Sequence, residues 1–166
     1  IYTLTVAGAQ ERSVAAAERC LELRIAALGE AHAEVAAALG LLGAARRRRG
    51  ELDAALAADL RALEIYEHVL GDSHADTATA AGNLSATRRA RGEHDAALVL
   101  GERALAGLTA ACGAEDLRTG LAWGNLAAVR RARGEHLEAI AAGRELLRIR
   151  RAVLGDRHAE TAVAHS

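Results

Sequence analysis

Residues 70–111 read LGDSHADTATAAGNLSATRRARGEHDAALVLGERALAGLTAA, and this stretch decides the fold because it recurs along the chain. Aligned without a gap to residues 28–69, it is identical at 21 of 42 positions. The same spacing continues beyond it, since Asn83 is followed 42 residues later by Asn125. Composition alone does not produce such agreement, so we interpret the chain as a repeat protein.

Each repeat contains two segments with helical signals. The first segment ends in an arginine-rich run before a glycine, as helix C-termini commonly do. The second follows acidic residues, and in one repeat it carries Leu56, Leu60 and Leu63 three or four positions apart, which gives one apolar stripe. We therefore predict an all-α fold in which stacked neighbours bury each stripe. The predicted helices are 33–49, 52–69, 75–91, 94–111, 117–133 and 136–153.

The repeat boundaries predict that residues 1–166 form a single solenoid fragment. Residues 9–27 match a second helix in register, whereas residues 1–7 are β-prone by composition. A frayed helix end, a strand-like leader and residues foreign to the native chain are all open for residues 1–7. The lack of an initiator Met and an end in mid-pattern predict a piece of a longer protein. The predicted division is a partial repeat 1–27, full repeats 28–69, 70–111 and 112–153, and a partial repeat 154–166.

Composition and charge exclude several classes of partner and compartment. The formal net charge is −1, which argues against a surface built to hold nucleic acid. No apolar run approaches the roughly 18 residues that a bilayer-spanning helix needs. Cys20 and Cys112 lie far apart without ligand spacing, as is typical of buried thiols in a reducing compartment. We expect a cytoplasmic protein with no membrane contact.

Catalytic and metal-binding motifs are missing from the sequence. The chain has no Lys, which excludes the phosphate-binding loop that ends in Gly-Lys. No Ser stands in a Gly-x-Ser-x-Gly motif. His32, His74 and His158 recur once per repeat and do not form the i, i+4 pair that clamps zinc on a helix. We therefore expect no enzyme, no cofactor and no metal, with the recurring histidines as structural features of the repeat.

The recurring motif resembles a known family. The pattern Leu-Gly-x-x-His, Ala-x-x-x-x-Asn-Leu and Arg-Gly-Glu-x-x-x-Ala-Leu is similar to the 42-residue tetratricopeptide repeats of kinesin light chains and their bacterial relatives. The resemblance implies an all-α, right-handed superhelical solenoid of antiparallel helix pairs. Two departures affect site prediction, because Leu41 replaces the Asn of the other repeats and Asp116 replaces the His. The motif is carried here by Leu70, Gly71, His74, Ala78, Asn83, Leu84, Gly92, Ala97, Ala104 and Leu105.

The resemblance also implies a binding surface. In the family, first helices line a concave face that grips a peptide, and matching positions transfer to this chain residue by residue. An Asn amide both donates to and accepts from a peptide backbone, and Arg binds carboxylates bidentately. The implied peptide-binding residues are Gly82, Asn83, Arg89, Gly124, Asn125, Arg131, Arg47 and Arg48.

Alternatives stand beside these site assignments. The two Asn side chains can instead satisfy backbone groups between neighbouring helices. The recurring arginine clusters can simply stabilise helix C-termini, where each cation contributes about 0.3–1 kcal/mol. Stacked in register, the clusters instead predict a basic stripe for an acidic partner.

The predicted fold and the family resemblance together indicate a function. We expect a protein-interaction scaffold that binds a peptide or protein partner on the concave face, within a larger regulatory or signalling protein. The alternative is a structural element that associates end to end with itself or spaces neighbouring domains.

Overall fold

The chain is α-helical throughout the region that the structure describes. A computed structural model describes the backbone of residues 2–155 and the side chains of residues 10–155. Within that range there are seven helices and no strand, which confirms the predicted fold class. The helices are α1 (Tyr2–Leu28), α2 (Ala33–Arg49), α3 (Leu52–Leu70), α4 (Ala75–Ala90), α5 (His94–Cys112), α6 (Leu117–Ala132) and α7 (His136–Leu154).

The helices form two compact units. Unit 1 ends at Asp72 and holds α1–α3, and unit 2 begins at Ser73 and holds α4–α7. In unit 1, α2 packs against both α1 and α3. In unit 2, α4 packs against α5, α6 packs against α5 and α4, and α7 packs against α6. Within each unit, helices that are adjacent in sequence pack against each other, as expected of a repeat array.

The core of unit 1 is built from small and branched side chains. Val35 and Ala36 on α2 are fully buried, and Ala58 and Ala62 on α3 lie against them. The partly buried Leu21 of α1 covers this cluster from the other side. Burial of a Val or Leu side chain contributes about 1.5–3 kcal/mol. Because the helices approach closely, these small and branched side chains fill the core although aromatic rings are scarce.

The core of unit 2 depends on close helix contacts as well. Ala78, Leu108 and Ala122 join α4, α5 and α6 in one buried cluster. At Gly107 a Cβ atom would lie only 2.7 Å from the Cβ of Ala78. The glycine is required there because α4 and α5 approach too closely for a side chain.

Caps define the start of each first helix. The Nδ1 atom of His32 accepts a hydrogen bond from the backbone N–H of Glu34 at 3.1 Å, and His74 does the same for Asp76. In the third repeat Asp116 stands in place of the histidine, and its Oδ1 accepts a hydrogen bond from the backbone N–H of Arg118 at 2.8 Å. Before α4, Asp72, Ser73 and His74 all have side chains that can cap a helix, and the structure uses His74. This confirms a structural role for the histidines at residues 32 and 74.

Glycines in the left-handed region end the first helices. Gly50 has φ 81°, and the next residue, Glu51, donates its N–H to the carbonyl of Arg46 at 3.0 Å. This geometry satisfies a carbonyl that the helix end would leave without a partner. Glycines with positive φ recur at residues 29, 50, 71, 92, 113, 134 and 155.

The predicted helix boundaries agree with the structure to about one residue, except at the N-terminus. α1 begins at Tyr2, so the β-prone segment is helical from that residue and a strand-like leader is wrong. The backbone continues the helix that residues 9–27 were predicted to form. The predicted partial repeat at 154–166 lies outside the described residues after Gly155.

Candidate functional site

A groove in unit 2 runs between α4 and α6 over α5. Its volume is about 240 Å³, and its floor is made by Gly101, Ala104 and Leu108 of α5. The floor is small and apolar, so a ligand side chain can approach the α5 backbone closely. The walls are formed by Asp76, Thr79, Gly82 and Asn83 of α4 and by Arg118, Leu121, Ala122 and Asn125 of α6.

Two amide side chains lie on opposite walls of this groove. Asn83 of α4 and Asn125 of α6 are both half-buried. The Nδ2 atom of Asn125 lies 3.8 Å from the position that a Cβ on Gly82 would occupy, so glycine keeps the space beside the amide open. Among the described residues, the Asn125 side chain makes no hydrogen bond, which leaves its donor and acceptor available to a ligand.

One end of the groove carries opposite charges. Asp76 and Arg118 stand on the two walls there. The Nε of Arg118 donates to Oδ1 of Asp116 at 3.1 Å, and this hydrogen bond is the main cause that raises the pKa of Arg118 and lowers the pKa of Asp116. Arg118 is therefore held in place as a fixed cation by the residue that caps its own helix.

A second groove lies between α6 and α7. It has a volume of about 370 Å³, and its polar side chains are Arg131 and His136. The rest of the lining is small or apolar. It consists of Gly124, Ala127, Ala128, Ala139 and Ile140.

Unit 1 has a different kind of groove, with charged walls. It is lined by Glu18 and Glu22 of α1, Arg46 of α2 and Arg61 of α3, among apolar residues. Arg46 donates to Glu18 at 2.9 Å, so part of this charge is satisfied internally. This groove of unit 1 therefore differs in chemistry from the Asn-lined groove of unit 2.

Most arginines of the recurring clusters are engaged in ion pairs. The last arginine of each cluster pairs with the glutamate that follows the helix-ending glycine, as in Arg49–Glu51 at 2.9 Å. The first arginine also has a partner in every repeat. These pairs are Arg46–Glu18, Arg88–Glu93 and Arg130–Glu102. The two ion pairs from Arg88 and Arg91 to Glu93 hold the pKa of that carboxyl below its usual value, chiefly through the Arg91 hydrogen bond.

The central arginine of each cluster differs between repeats. In unit 1, Nη1 of Arg47 lies 3.9 Å from Oδ2 of the buried Asp59. In unit 2, Arg89 and Arg131 form no ion pair with any residue that the structure describes. Arg89 and Arg131 are therefore the positions in register with Arg47 that have no ion-pair partner among the described residues, and the basic stripe that one interpretation of the clusters implies stays a prediction.

The structure distributes the predicted site residues over three places. Gly82, Asn83 and Asn125 meet in the α4–α6 groove. Gly124 and Arg131 line the α6–α7 groove instead. Arg89 is half-buried near the end of α4 without a place in either groove. In unit 1, Arg47 points to Asp59, and Nη2 of Arg48 lies 3.4 Å from Oγ of Ser13.

Sequence reasoning missed several residues of the α4–α6 groove. On α6, Arg118, Leu121 and Ala122 precede Asn125 by seven, four and three residues, which is the spacing of one helix face. Thr79 has the same relation to Asn83 on α4. Helical periodicity counted backwards from each Asn would have found them.

Two further properties concern residues 2–155 only. None of the described helices has the length and apolar character needed to cross a bilayer. Within the same range, no three His, Cys, Asp or Glu residues gather where a metal ion could be held.

The chain is similar to known repeat proteins in both sequence and fold. Residues 34–110 and 118–166 match the family model of the tetratricopeptide repeat. No curated protein sequence matches the chain significantly. Among solved structures, BtubC (BKLC) from P. vanneervenii aligns with a TM-score of 0.73 and 26% identity over 89% of this chain. The chain spans 59% of the length of BtubC.

A fungal structure gives the same result. A kinesin light chain-like protein of Podosopora anserina, with nearly identical TPR-like repeats, aligns with a TM-score of 0.72 and 19% identity. The alignment covers 95% of this chain and 74% of that protein. The predicted resemblance to kinesin light chain repeats is confirmed. Repeats of this kind are generally protein–protein interaction scaffolds and are typically not catalysts. With the family model matched over most of its length, the chain belongs to the tetratricopeptide repeat family.

Proposed function

We propose that this chain is a scaffold that binds an extended acidic segment of a partner protein on the face formed by α4 and α6. The observation that carries this proposal is the groove of about 240 Å³ with the Asn125 amide on its wall. That amide has no hydrogen-bond partner among the described residues. Neither its nitrogen nor its oxygen is among the buried side-chain atoms without a partner in the described residues, so a ligand can reach both.

The chemistry of the groove suits a peptide main chain. Each Asn side chain can donate to a peptide carbonyl and accept from a peptide N–H. Apolar ligand side chains can contact Ala104, Leu108 and Leu121, of which Leu121 is 53% exposed. Sites of this type combine an apolar lining with a few polar groups that fix ligand orientation.

The preference for acidic segments rests on Arg89 and Arg131, which lie near the C-terminal ends of α4 and α6 and outside the lining of the α4–α6 groove. Both guanidinium groups remain charged at neutral pH, and neither forms an ion pair within the part of the chain that the structure describes. The arginines at the two ends of the same clusters already form ion pairs with glutamates of this chain. A ligand carboxylate can bind a guanidinium bidentately without first breaking an internal ion pair.

A charge reversal tests the proposed function. The double variant Arg89→Glu/Arg131→Glu should bind a fluorescein-labelled deca-glutamate peptide at least about tenfold more weakly, which corresponds to about 1.4 kcal/mol. The matched control is Arg12→Glu/Arg144→Glu, which changes net charge equally at exposed positions on α1 and α7. Circular dichroism should show unchanged helicity in both variants. Equal affinity in all three proteins, or equally strong binding of a single-stranded oligonucleotide, would contradict the proposal.

We propose further that the scaffold acts in the cytoplasm as the regulatory arm of a larger signalling protein, with any catalysis located in another domain. This rests on the scaffold role that is general for the family. Affinity purification with the chain as bait, followed by identification of co-purifying proteins, tests it. Recovery of acidic partners that wild type retains and the double variant loses is the expected result.

A second candidate function is self-association. Leu137 and Ile140 on α7 are 80% and 53% exposed and lie three positions apart, which places them side by side on one helix face. Light scattering distinguishes the two functions. Masses that rise stepwise with concentration favour self-association, whereas a constant monomer mass contradicts it.

A further inference from the structure

The second helix of each repeat carries a residue at one register position that differs between the units. Asp59 of α3, Gly101 of α5 and Gly143 of α7 are 42 residues apart. The facing position on the first helix changes with it. Gly43 faces Asp59, and Ser85 faces Gly101, so that each close pair combines one larger residue with a glycine.

Asp59 is a buried carboxylate that the surrounding structure accommodates. The residue is 1% exposed. A Cβ built on Gly43 would lie 2.9 Å from Cγ of Asp59 and nearer still to Oδ1, so only glycine leaves room for this side chain. Gly43 and Asp59 therefore form a matched pair across α2 and α3.

The position of Asp59 connects it to the central arginine of its repeat. Its Oδ2 lies 3.9 Å from Nη1 of Arg47, whose side chain is 23% exposed. In unit 2 the glycines at positions 101 and 143 supply no carboxylate to Arg89 and Arg131. The three arginines share one register position, and only the first has a buried anion beneath it.

We propose that Asp59 is a specificity-determining residue: a built-in counter-anion that occupies Arg47, so that among the three arginines at this register position only Arg89 and Arg131 bind acidic ligand groups. This inference rests on the proposed function, because it assumes an acidic partner. Asp59 acts through Arg47 and is not itself exposed to a ligand, so its role is to position charge beneath the surface.

Electrostatics gives the reason. The attraction between two charges is stronger in the poorly solvated interior than in water, so a ligand carboxylate competes poorly with Asp59 for Arg47. The negative charge of Asp59 also repels an approaching carboxylate. Arg89 and Arg131 carry no such internal competitor, and a ligand gains their full attraction.

Arginine footprinting tests the inference residue by residue on the full chain. Phenylglyoxal modifies accessible guanidinium groups, and mass spectrometry measures the modification of each arginine with and without deca-glutamate. In wild type, the peptide should slow modification of Arg89 and Arg131 at least threefold and leave Arg47 unchanged. In Gly43→Ser/Asp59→Gly, which copies the Ser85 and Gly101 pair of unit 2, the peptide should also protect Arg47.

A second variant guards against a folding defect. Asp59→Asn keeps the size of the side chain beside Gly43 and removes its charge, and it should likewise extend protection to Arg47. Protection of Arg47 in wild type, or its absence in both variants while Arg89 and Arg131 remain protected, would overturn the inference alone. Absence of protection at all three arginines in wild type would overturn the proposed function and this inference with it.

Discussion

The repeats at residues 28–69 and 70–111 are identical at 21 of 42 positions, yet the arginine at one shared register position has different surroundings in the two. Arg47 lies near a buried carboxylate, whereas Arg89 at the same register position has no ion pair among the described residues. The surface residue is identical in both repeats. The difference originates one layer below, where α3 carries Asp59 and α5 carries Gly101.

The same two repeats differ in the residue that would meet a peptide. Unit 1 presents Leu41, which is 60% exposed, where unit 2 presents the amide of Asn83. In a repeat protein, a shared backbone therefore does not imply a shared binding surface. Binding chemistry has to be assigned repeat by repeat, from the exposed residue and from what lies beneath it.

The strongest test of this comparison places an aspartate in unit 2 at the position equivalent to Asp59. Gly101→Asp should destabilise the protein by at least about 4 kcal/mol, since it combines overpacking with a buried charge. A Cβ at Gly101 would lie 3.2 Å from Oγ of Ser85 and 3.5 Å from Leu126. Urea denaturation measures the loss.

Two controls accompany this transplant. Gly143→Asp should change stability by less than about 1 kcal/mol, because no heavy atom lies within 4 Å of a Cβ there. Adding Ser85→Gly to Gly101→Asp should recover much of the loss, because it recreates the pair of unit 1 beside Arg89. Equal destabilisation by the two aspartates would show that local packing is not the cause.

Removal of the central arginine of a cluster should lower the free energy of unfolding substantially only in unit 1, where that arginine is Arg47. Arg47→Ala should lower the free energy of unfolding by about 3 kcal/mol, because it leaves the charge of Asp59 without that cation. Arg89→Ala should cost no more than about 0.5 kcal/mol. In the Gly43→Ser/Asp59→Gly background, the effect of Arg47→Ala should fall to the Arg89 level. A similar loss in both backgrounds would contradict the ion pair.

Blocking the groove should sharpen the comparison in terms of binding. Thr79→Trp places a large ring on the α4 wall and should weaken deca-glutamate binding at least about tenfold, or about 1.4 kcal/mol. Thr109→Trp is the matched control, since both threonines are exposed and each donates to the carbonyl four residues earlier. Fluorescence anisotropy measures affinity. Equal weakening by both substitutions would place binding elsewhere.

The smallest expected effect concerns the cap of α6. Hydrogen bonds from the Arg118 side chain and backbone lower the pKa of Asp116 in the folded state. A lowered folded-state pKa means that Asp116 stabilises the fold above its unfolded value, near 3.9, and that this stabilisation is lost as pH falls through the folded value.

Asp116→Ala should therefore cost about 1 kcal/mol at pH 7, and the difference from wild type should vanish in strong acid. Asp116→Asn, which still caps but carries no charge, is the matched control and should lose less. Thermal unfolding across pH checks both variants. A pH-independent cost of Asp116→Ala would show that the carboxylate is not the cap.

Most of the fold was predictable from the period alone. Identical residues 42 positions apart located the predicted helix ends to about a residue, because the glycines that end helices recur with the repeat. The cap before α4 was not predictable, since Asp72, Ser73 and His74 all have capping side chains and only backbone geometry selects among them. The start of α1 was left open because the β-propensity of residues 1–7 and the continuation of an established helix point to different structures.

The candidate site was only partly predictable. Gly82, Asn83 and Asn125 were expected on one surface, and they share one groove. Whether the arginine clusters stabilise helix ends or form a basic stripe was left open by the sequence. It did not show that Arg47 has a buried carboxyl group nearby, because Asp59 comes from another helix. Asp59 was visible as a departure from glycine at its repeat position. Its close contact with Gly43, sixteen residues earlier, forms only when α2 packs against α3, so the sequence alone did not show it.

The side-chain amide region of an NMR spectrum tests the central claim most directly. The chain contains only two Asn and one Gln, so the spectrum holds three amide pairs: Asn83 and Asn125 in the groove, and Gln10 on α1 as an internal reference. On titration with deca-glutamate, we predict that both Asn pairs shift while the Gln10 pair stays in place. Unmoved Asn signals at saturation, or a Gln10 shift of equal size, would contradict binding at the α4–α6 groove.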